Sequence, residues 1–244
     1  MIDSPTVTIN NAYLRYQNQI LFDRLSLRLP AGQTTGLLGP SGIGKTSLLR
    51  LIAGFHSPTA SADIKTSDKK SLYGRVAYLP QSNALLPWLS VIKNVLLGYR
   101  LRSEKQPTEQ AKDLLHQLGL TSALKKYPTQ LSGGMQQRVA LARALLEDKP
   151  IILMDEPFSS LDSVTRYRLQ TLSARLLENR TVLLVTHDPL EALRLSHHIA
   201  IMSGNPTKIN HLTLTFDTIP PRTLNNPELL YWQNQLLSRL EEAY

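Results

Sequence analysis

The chain has 244 residues, 42% of them hydrophobic, which is enough to bury a sizeable core in one domain with or without a smaller subdomain. A formal net charge of +8 is compatible with nucleic acid, an anionic lipid surface, nucleotide phosphates or a merely solvated basic surface. No apolar run approaches the roughly 18 residues that cross a bilayer, and residues 1–10 lack the features of a secretory signal, so we expect a cytosolic protein that does not span a membrane.

Short apolar or β-rich segments along the chain predict a sheet. In the second half they alternate with helical patterns, which is the order typical of a parallel α/β core. The predicted strands are residues 7–9, 25–29, 34–38, 76–79, 151–154, 182–185 and 199–202. Residues 57–71, rich in Ser, Thr, Lys and Asp, are expected to form a surface loop with short edge strands.

Between the fourth and fifth predicted strands the pattern becomes helical. An apolar stripe around Leu114 lies between Thr108, which we expect to cap a helix, and Gly119, which we expect to end it. Near the end of the chain, Asn226 and Pro227 are a typical cap and first residue of a further amphipathic helix.

These patterns predict a single domain over residues 1–244 with an insertion. Residues 1–82 and 150–204 would form the α/β core, residues 83–149 an inserted helical subdomain, and residues 205–244 a C-terminal extension with its helix.

A glycine-rich loop follows the predicted strand at 34–38 and precedes a helical run. It fits the phosphate-binding pattern G-x-x-x-x-G-K-S/T and, with the next residue, comprises Gly39, Pro40, Ser41, Gly42, Ile43, Gly44, Lys45, Thr46 and Ser47. Its glycines let backbone N–H groups converge on phosphate oxygens at a helix N-terminus. Lys45 would reach the β- and γ-phosphates, and Thr46 would ligate magnesium. The loop alone predicts only a P-loop nucleotide protein, a class that includes kinases, GTPases, helicases and motors.

Two carboxylates, Asp155 and Glu156, follow the predicted strand at 151–154, the position where open α/β sheets hold ligands. Asp155 would serve the outer shell of a magnesium ion. Glu156 would accept a proton from, or orient, the water that attacks the γ-phosphate. A pair that merely faces solvent at the strand end is the alternative, and the two residues alone do not decide.

The octapeptide Leu-Ser-Gly-Gly-Met-Gln-Gln-Arg at residues 131–138 precedes a helical pattern and resembles the signature sequence of ATP-binding cassette (ABC) ATPases. We call residues 131–138 the signature octapeptide. Ser132 and the amides of Gly133 and Gly134 would form a second anion-binding helix start, separate from the phosphate loop. The resemblance implies that this helix start closes on ATP bound by a partner subunit. A serine cap followed by a flexible Gly-Gly turn describes the same atoms, and only the other motifs favour the ABC interpretation.

The resemblance continues over residues 7–202 and implies further roles. Tyr16 resembles the aromatic residue that stacks on adenine, although a lone tyrosine would more often pack in a core. Gln81 resembles the glutamine that touches magnesium or water and links the core to the helical subdomain. Residues 159–162 resemble the loop that contacts the partner, and His187 resembles the switch histidine at the γ-phosphate, although a lone histidine at a strand end is more often structural.

The family resemblance therefore implies a P-loop NTPase core with a mostly parallel sheet, an antiparallel β edge and an inserted helical subdomain. It implies ATP and Mg²⁺ as ligands. The implied catalytic residues are Lys45, Gln81, Glu156 and His187, and the implied magnesium ligands are Thr46, Gln81 and Asp155.

Residues 84–95, together with the signature octapeptide, resemble bacterial importers of nitrate, of sulfonates such as taurine, or of thiamine precursors. Trp88 lies where the family receives the coupling helix of the membrane subunit, and packing within the helical subdomain is the alternative. The resemblance implies a head-to-tail dimer at the cytoplasmic face of the inner membrane, with transmembrane permease subunits and, indirectly, a periplasmic or extracellular solute-binding protein as partners, and no nucleic acid. An ABC exporter, a lipoprotein-release ATPase or a non-transport ABC ATPase is the alternative function.

Overall fold

The computed structural model describes residues 4–16, 19–55, 59–213 and 215–242. Its strands are β1 (Val7–Tyr16), β2 (Gln19–Leu29), β3 (Thr34–Leu38), β4 (Ala60–Thr66), β5 (Val76–Leu79), β6 (Ile151–Asp155), β7 (Thr181–Val185), β8 (His198–Ser203) and β9 (Lys208–Leu212). Its α-helices are α1 (Lys45–Ile52), α2 (Val91–Val95), α3 (Leu97–Leu101), α4 (Thr108–Gln117), α5 (Gly133–Leu146), α6 (Ser163–Leu176), α7 (Pro189–Leu195) and α8 (Pro227–Glu241). Short 3-10 turns occur at Thr121–Ala123 and Pro128–Gln130.

The larger sheet has the strand order β5-β6-β7-β3-β8-β9. Its first five strands are parallel, and β9 adds to β8 in the antiparallel direction. Every residue of β6 and β7 is buried, as expected for parallel strands that are covered on both faces. The predicted mostly parallel α/β core is thus confirmed. The carboxyl ends of β5, β6, β7 and β3 lie side by side at one edge of this sheet.

The smaller sheet is antiparallel and has the order β2-β1-β4. In β2 the side chains of Leu25, Leu27 and Leu29 are buried while alternate residues face solvent, so one face of this sheet packs on the core. The predicted strands 7–9 and 25–29 are parts of the longer β1 and β2, which also bury Ala12 and Phe22. Strand β4 falls within the region predicted to hold edge strands.

Residues 80–150, all of which the structure describes, contain four α-helices and two 3-10 turns and no strand, as predicted. Their apolar side chains form one cluster, in which Val91, Leu115 and Val139 are fully buried. The same cluster includes Ile152 and Met154 of β6. The helical region is therefore packed directly against the sheet.

The cap predicted at Thr108 is wrong by one position. Thr108 is the first residue of α4, and Pro107 precedes it as the N-cap residue. The Pro107 carbonyl accepts the first helical hydrogen bond from Ala111 N at 2.9 Å, so the turn of the helix already begins at the proline.

The predicted C-terminal helix is confirmed as α8. The Asn226 side chain accepts a hydrogen bond from Glu228 N at 2.9 Å, and Pro227 is the first helical residue. Leu229 and Leu236 are buried in a cluster with residues of α7 and β8. Among the described residues, no helix combines the length and apolarity needed to cross a bilayer.

A buried polar network joins α6 to α7. The Gln170 amide donates to the Glu191 carboxylate at 3.1 Å and accepts from the Arg194 guanidinium at 2.8 Å. Arg194 also donates to Thr171 Oγ1 and stacks on the Tyr167 ring, 4.0 Å from its centroid. Because Glu191 is only 5% exposed, burial raises the pKa of its carboxyl to about 7, with the neighbouring Asp188 acting in the same direction.

This network predicts a specific pH dependence of stability. Between the ordinary glutamate pKa of 4.5 and about 7, the folded protein holds a proton on Glu191 that the unfolded chain has lost. The free energy of unfolding should therefore fall as pH rises through this window, by about 3 kcal/mol from this group. Glu191→Gln keeps the shape of the protonated acid, so it should remove this decline.

Urea unfolding of both proteins at pH 5, 6, 7 and 8 measures the difference. Other titrating groups, such as His197, are common to both proteins, so the difference isolates Glu191. Parallel stability curves for the two proteins would show that Glu191 is already ionised in the fold at pH 5.

Candidate active site

The loop between β3 and α1 is a curled backbone that ends at a helix N-terminus. Gly44, directly before α1, has φ 107°, and a Cβ atom there would lie 2.7 Å from Cε1 of the buried Phe22. Only glycine fits this position without displacing the core. The predicted loop thus reaches the N-terminus of α1 through a conformation that requires glycine at position 44.

Lys45 points back into the loop that precedes it. Its ammonium donates to the carbonyl oxygens of Gly39 and Pro40 at 2.6 and 2.7 Å, and the residue is only 8% exposed. Burial lowers the pKa of this amine, while the nearby carboxylates of Glu156 and Asp155 act in the opposite direction. A partly desolvated cation therefore lies at the start of α1, where the helix itself also favours an anion.

Asp155 ends β6 and faces the same helix start. Its carboxylate accepts a hydrogen bond from Thr46 Oγ1 at 2.8 Å. Burial raises the pKa of Asp155, and the bond from Thr46 opposes this shift. The two side chains thus present adjacent oxygen donors of the kind that Mg²⁺ prefers.

Glu156 lies at the centre of three predicted site residues. The Gln81 amide donates to one carboxylate oxygen at 3.1 Å, and His187 Nδ1 lies 3.3 Å from the other. Gln81, Glu156 and His187 follow the adjacent strands β5, β6 and β7 by one or two residues. The strand order alone therefore brings these three residues together.

Most residues of the predicted site line one cavity of about 250 Å³. It is lined by Ser41, Gly42, Gly44, Lys45, Thr46, Ser47, Gln81, Asp155 and Glu156. Basic groups, acidic groups and the start of α1 thus meet around one cavity. An arrangement of this kind can bind a polyphosphate and can accept a proton from a water molecule beside it.

The signature octapeptide lies apart from this cavity. Ser132 caps α5, its hydroxyl oxygen accepting a hydrogen bond from Met135 N at 3.3 Å, as predicted. Ser132 and Gly133 are exposed, and neither they nor Gly134 line the cavity. The helix start predicted at Ser132 is therefore formed, and it faces solvent within one chain.

Two aromatic residues, Tyr16 and Trp88, are too exposed for the packing roles that were their alternatives. Tyr16, at the end of β1, is 69% exposed, so it does not pack in the core. It belongs to the β1–β2 hairpin whose Leu21 lies next to Gly44 of the phosphate loop. Trp88 is 68% exposed, while nearby Leu85 packs against the helical cluster.

The structure gives a role to Gln137, a residue for which the sequence predicted none: it contacts the backbone of Glu156. Glu156 has φ 50°, a left-handed conformation that costs a non-glycine residue roughly 1–3 kcal/mol. Its N–H donates to Val185 O at 2.9 Å, and its carbonyl accepts from Gln137 Nε2 and Ser159 Oγ, each at 3.1 Å. Gln137 stands between Gln136 and Arg138, so the sequence held no signal that would single it out as the buried partner of Glu156.

Comparison with known proteins identifies the family. The family model described as ABC transporter matches residues 22–159, more than half of the chain. An uncharacterized ABC transporter ATP-binding protein of Haemophilus influenzae is 42% identical over 96% of this chain and 98% of its own length. An aliphatic sulfonates import ATP-binding protein, SsuB 1 of Rhodococcus jostii, is 39% identical over 94% of this chain and 91% of its own length.

Solved structures agree with the sequence relatives. A dimeric structure of MJ0796, a bacterial ABC transporter cassette, has a TM-score of 0.71 and 28% identity, covering 80% of this chain and 93% of that one. A post-hydrolysis state of the same cassette with bound ADP and Pi has a TM-score of 0.75 and 27% identity, covering 86% and 99%. The chain belongs to the ABC transporter family as one of its ATP-binding subunits.

Proposed function

We propose that this chain hydrolyses ATP to power the import of a small anion, with an aliphatic sulfonate as the first candidate. The observation that carries the proposal is the Glu156 carboxylate, held between Gln81 and His187 beside the phosphate loop. The name of the Rhodococcus jostii relative supports the sulfonate.

In this proposal the phosphate loop binds the triphosphate of ATP. The backbone amides of Gly39 to Ser47 and the start of α1 supply N–H groups, and Lys45 turns from its carbonyl partners to the β- and γ-phosphates. Tyr16 is exposed on the adjacent hairpin, so its ring is free to stack on adenine.

The residues present fit a magnesium ion. Thr46 and Asp155 already place two oxygen donors 2.8 Å apart, and the Gln81 side-chain oxygen is a third candidate ligand because its nitrogen faces Glu156. When bound, Mg²⁺ neutralises charge on the phosphates during transfer.

Glu156 acts as the general base of the proposed reaction. Its two carboxylate oxygens are oriented by Gln81 and His187, and it accepts a proton from the attacking water as the γ-phosphate leaves ADP. His187, whose side chain is 61% exposed, is available to contact the γ-phosphate.

A second copy of the chain is needed to complete each site. Ser132, Gly133 and Gly134 form an anion-binding helix start outside their own chain's cavity, so in a head-to-tail dimer they would contact the ATP held by the partner. The dimeric structures of the MJ0796 cassette support the pairing of two copies. Residues 159–162 follow Glu156 and would lie at the same interface.

In the proposed domain organisation, residues 1–82 and 150–204 form the catalytic core, residues 83–149 the helical subdomain, and residues 205–244 the C-terminal extension.

The remaining partners follow from the same proposal. Trp88, which is exposed, would contact a transmembrane permease subunit at the cytoplasmic face of the membrane. A solute-binding protein outside the membrane would deliver the solute to that permease.

Two variants should separate ATP binding from hydrolysis. A hydrogen bond from a charged group contributes about 1.5–3 kcal/mol, so Lys45→Ala should weaken ATP binding by roughly 10- to 100-fold. Glu156→Gln keeps the size of the side chain and loses its basicity, so binding should persist while kcat falls about 100-fold or more. Equilibrium binding of labelled ATP and steady-state phosphate release measure the two effects.

Glu109→Gln is a matched control, because Glu109 is exposed on α4 and far along the chain from the cavity residues. It should bind and hydrolyse ATP as the unmodified chain does. Phosphate release by Glu156→Gln at the unmodified rate would refute the general-base role.

Assembly gives a second prediction. With ATP and Mg²⁺, the Glu156→Gln protein should form a dimer of 27.3 kDa subunits because its ATP is not cleaved, and adding Ser132→Arg should keep it monomeric without abolishing ATP binding. Light scattering measures the mass.

Ser238→Arg in the same background adds an equal charge on the exposed face of α8 and should leave the dimer intact. A Glu156→Gln protein that stays monomeric at saturating ATP and Mg²⁺ would contradict dimerisation of the isolated subunit.

A further inference from the structure

The Gln137 side chain links the signature helix to the backbone around Glu156. Gln137 lies on α5, five positions after Ser132, and is only 4% exposed. Its Nε2 donates to Glu156 O at 3.1 Å and lies 3.4 Å from Ser159 Oγ, and its Oε1 accepts from Ser160 N at 3.0 Å. One buried amide therefore holds both ends of the segment 156–160.

A second contact brings the start of the same helix onto the same loop. A Cβ atom at Gly134 would lie 3.2 Å from Leu161 Cδ2 and 3.3 Å from Ser160 O, so the first turn of α5 packs closely on the loop. Because the rise of an α-helix is about 1.5 Å per residue, Gln137 and Ser132 are about 7–8 Å apart along one rigid element.

Glu156 depends on such external support. Its left-handed backbone conformation is unfavourable for a residue with a side chain, and it persists only where surrounding contacts determine it. Gln137 supplies one of the two side-chain hydrogen bonds to the Glu156 carbonyl, and Ser159, the other donor, is itself within reach of the Gln137 amide.

We propose that Gln137 is a positioning residue that couples the two ATP sites of the dimer. Contact between the Ser132 end of α5 and the partner's ATP fixes the position of α5. The Gln137 amide joins α5 to the segment 156–160 and thereby sets the position of Glu156 at the chain's own ATP. The inference rests on the proposed function and deepens it, because it makes each subunit's general base responsive to closure at the other site.

The helix offers a matched control in the preceding residue. Gln136 is the same residue type on α5, and its amide also donates to backbone carbonyls, of Pro128 at 3.0 Å and Leu131 at 3.4 Å. These partners belong to the helical region rather than to the loop after Glu156. Gln136→Leu therefore removes comparable hydrogen bonds without touching the proposed link.

The test compares the unmodified full chain with Gln137→Leu, Gln137→Glu and Gln136→Leu. The glutamate variant keeps the side-chain size and the acceptor for Ser160 N but loses the donor to Glu156 O, and it serves also if the leucine variant fails to fold. Three quantities are measured: equilibrium binding of labelled ATP without magnesium, kcat and KM for phosphate release, and hydrogen–deuterium exchange of a peptide spanning residues 156–162.

For both Gln137 variants we expect unchanged ATP binding, a kcat lowered by about tenfold or more, as displaced catalytic groups produce, and faster exchange in residues 156–162. Gln136→Leu should leave this exchange unchanged. Unchanged kcat and exchange in the Gln137 variants, or equally fast exchange of residues 156–162 in Gln136→Leu, would overturn the proposal. If the unmodified chain released no phosphate, the proposed function would fail, whereas the exchange measurement would still decide whether Gln137 holds the Glu156 segment.

Discussion

The buried ammonium of Lys45, facing the carboxylates that end β6, is the interaction on which the proposed site depends. It exists because β3 and β6 are parallel strands of one sheet, so the start of α1 and the end of β6 open on the same edge. Desolvation lowers the pKa of Lys45, and the nearby carboxylates of Asp155 and Glu156 raise it. Each charge has lost hydration in the fold, and the opposite charges beside it partly offset that loss. ATP would exchange the carbonyl partners of Lys45 for phosphate oxygens.

The fold also separates the two predicted anion-binding helix starts within one chain. One helix start, α1, lies inside the cavity, and the other, α5, presents Ser132 to solvent. A closed site therefore needs two chains in the proposed mechanism. In the proposed coupling, α5 carries Ser132 at its start, and the Gln137 side chain joins the same helix to the segment after Glu156.

Much of this site could be predicted from the sequence because its parts are contiguous. The phosphate loop, the pair Asp155 and Glu156, and the signature octapeptide each occupy a few successive residues next to a strong apolar pattern. Strand β9, with the polar residues Lys208 and Asn210 on an edge strand, carried no such pattern and was not predicted.

Contacts between residues that are far apart along the chain could not be predicted from the sequence. The role of Gln137 depends on a loop 19 residues further along. Glu156, in its left-handed conformation, donates to Val185 O and accepts from the side chains of Gln137 and Ser159. The helix start at Pro107 shows the same limit at short range, because a backbone carbonyl took the role expected of the Thr108 side chain.

The most direct test of a site built from two chains is complementation between two inactive variants. In a mixed dimer, a Lys45→Ala subunit supplies an intact Ser132 helix start, and a Ser132→Arg subunit supplies an intact phosphate loop, so one complete site forms. Each variant alone should release little phosphate at an ATP concentration that saturates the unmodified chain, and their mixture should release clearly more. The rate should stay about tenfold below that of the unmodified dimer, because Glu156 of the complete site lies in the subunit whose own Ser132 end is blocked. A mixture that stays as inactive as its components while mixed dimers are detected, or a Ser132→Arg protein that is fully active alone, would contradict the account.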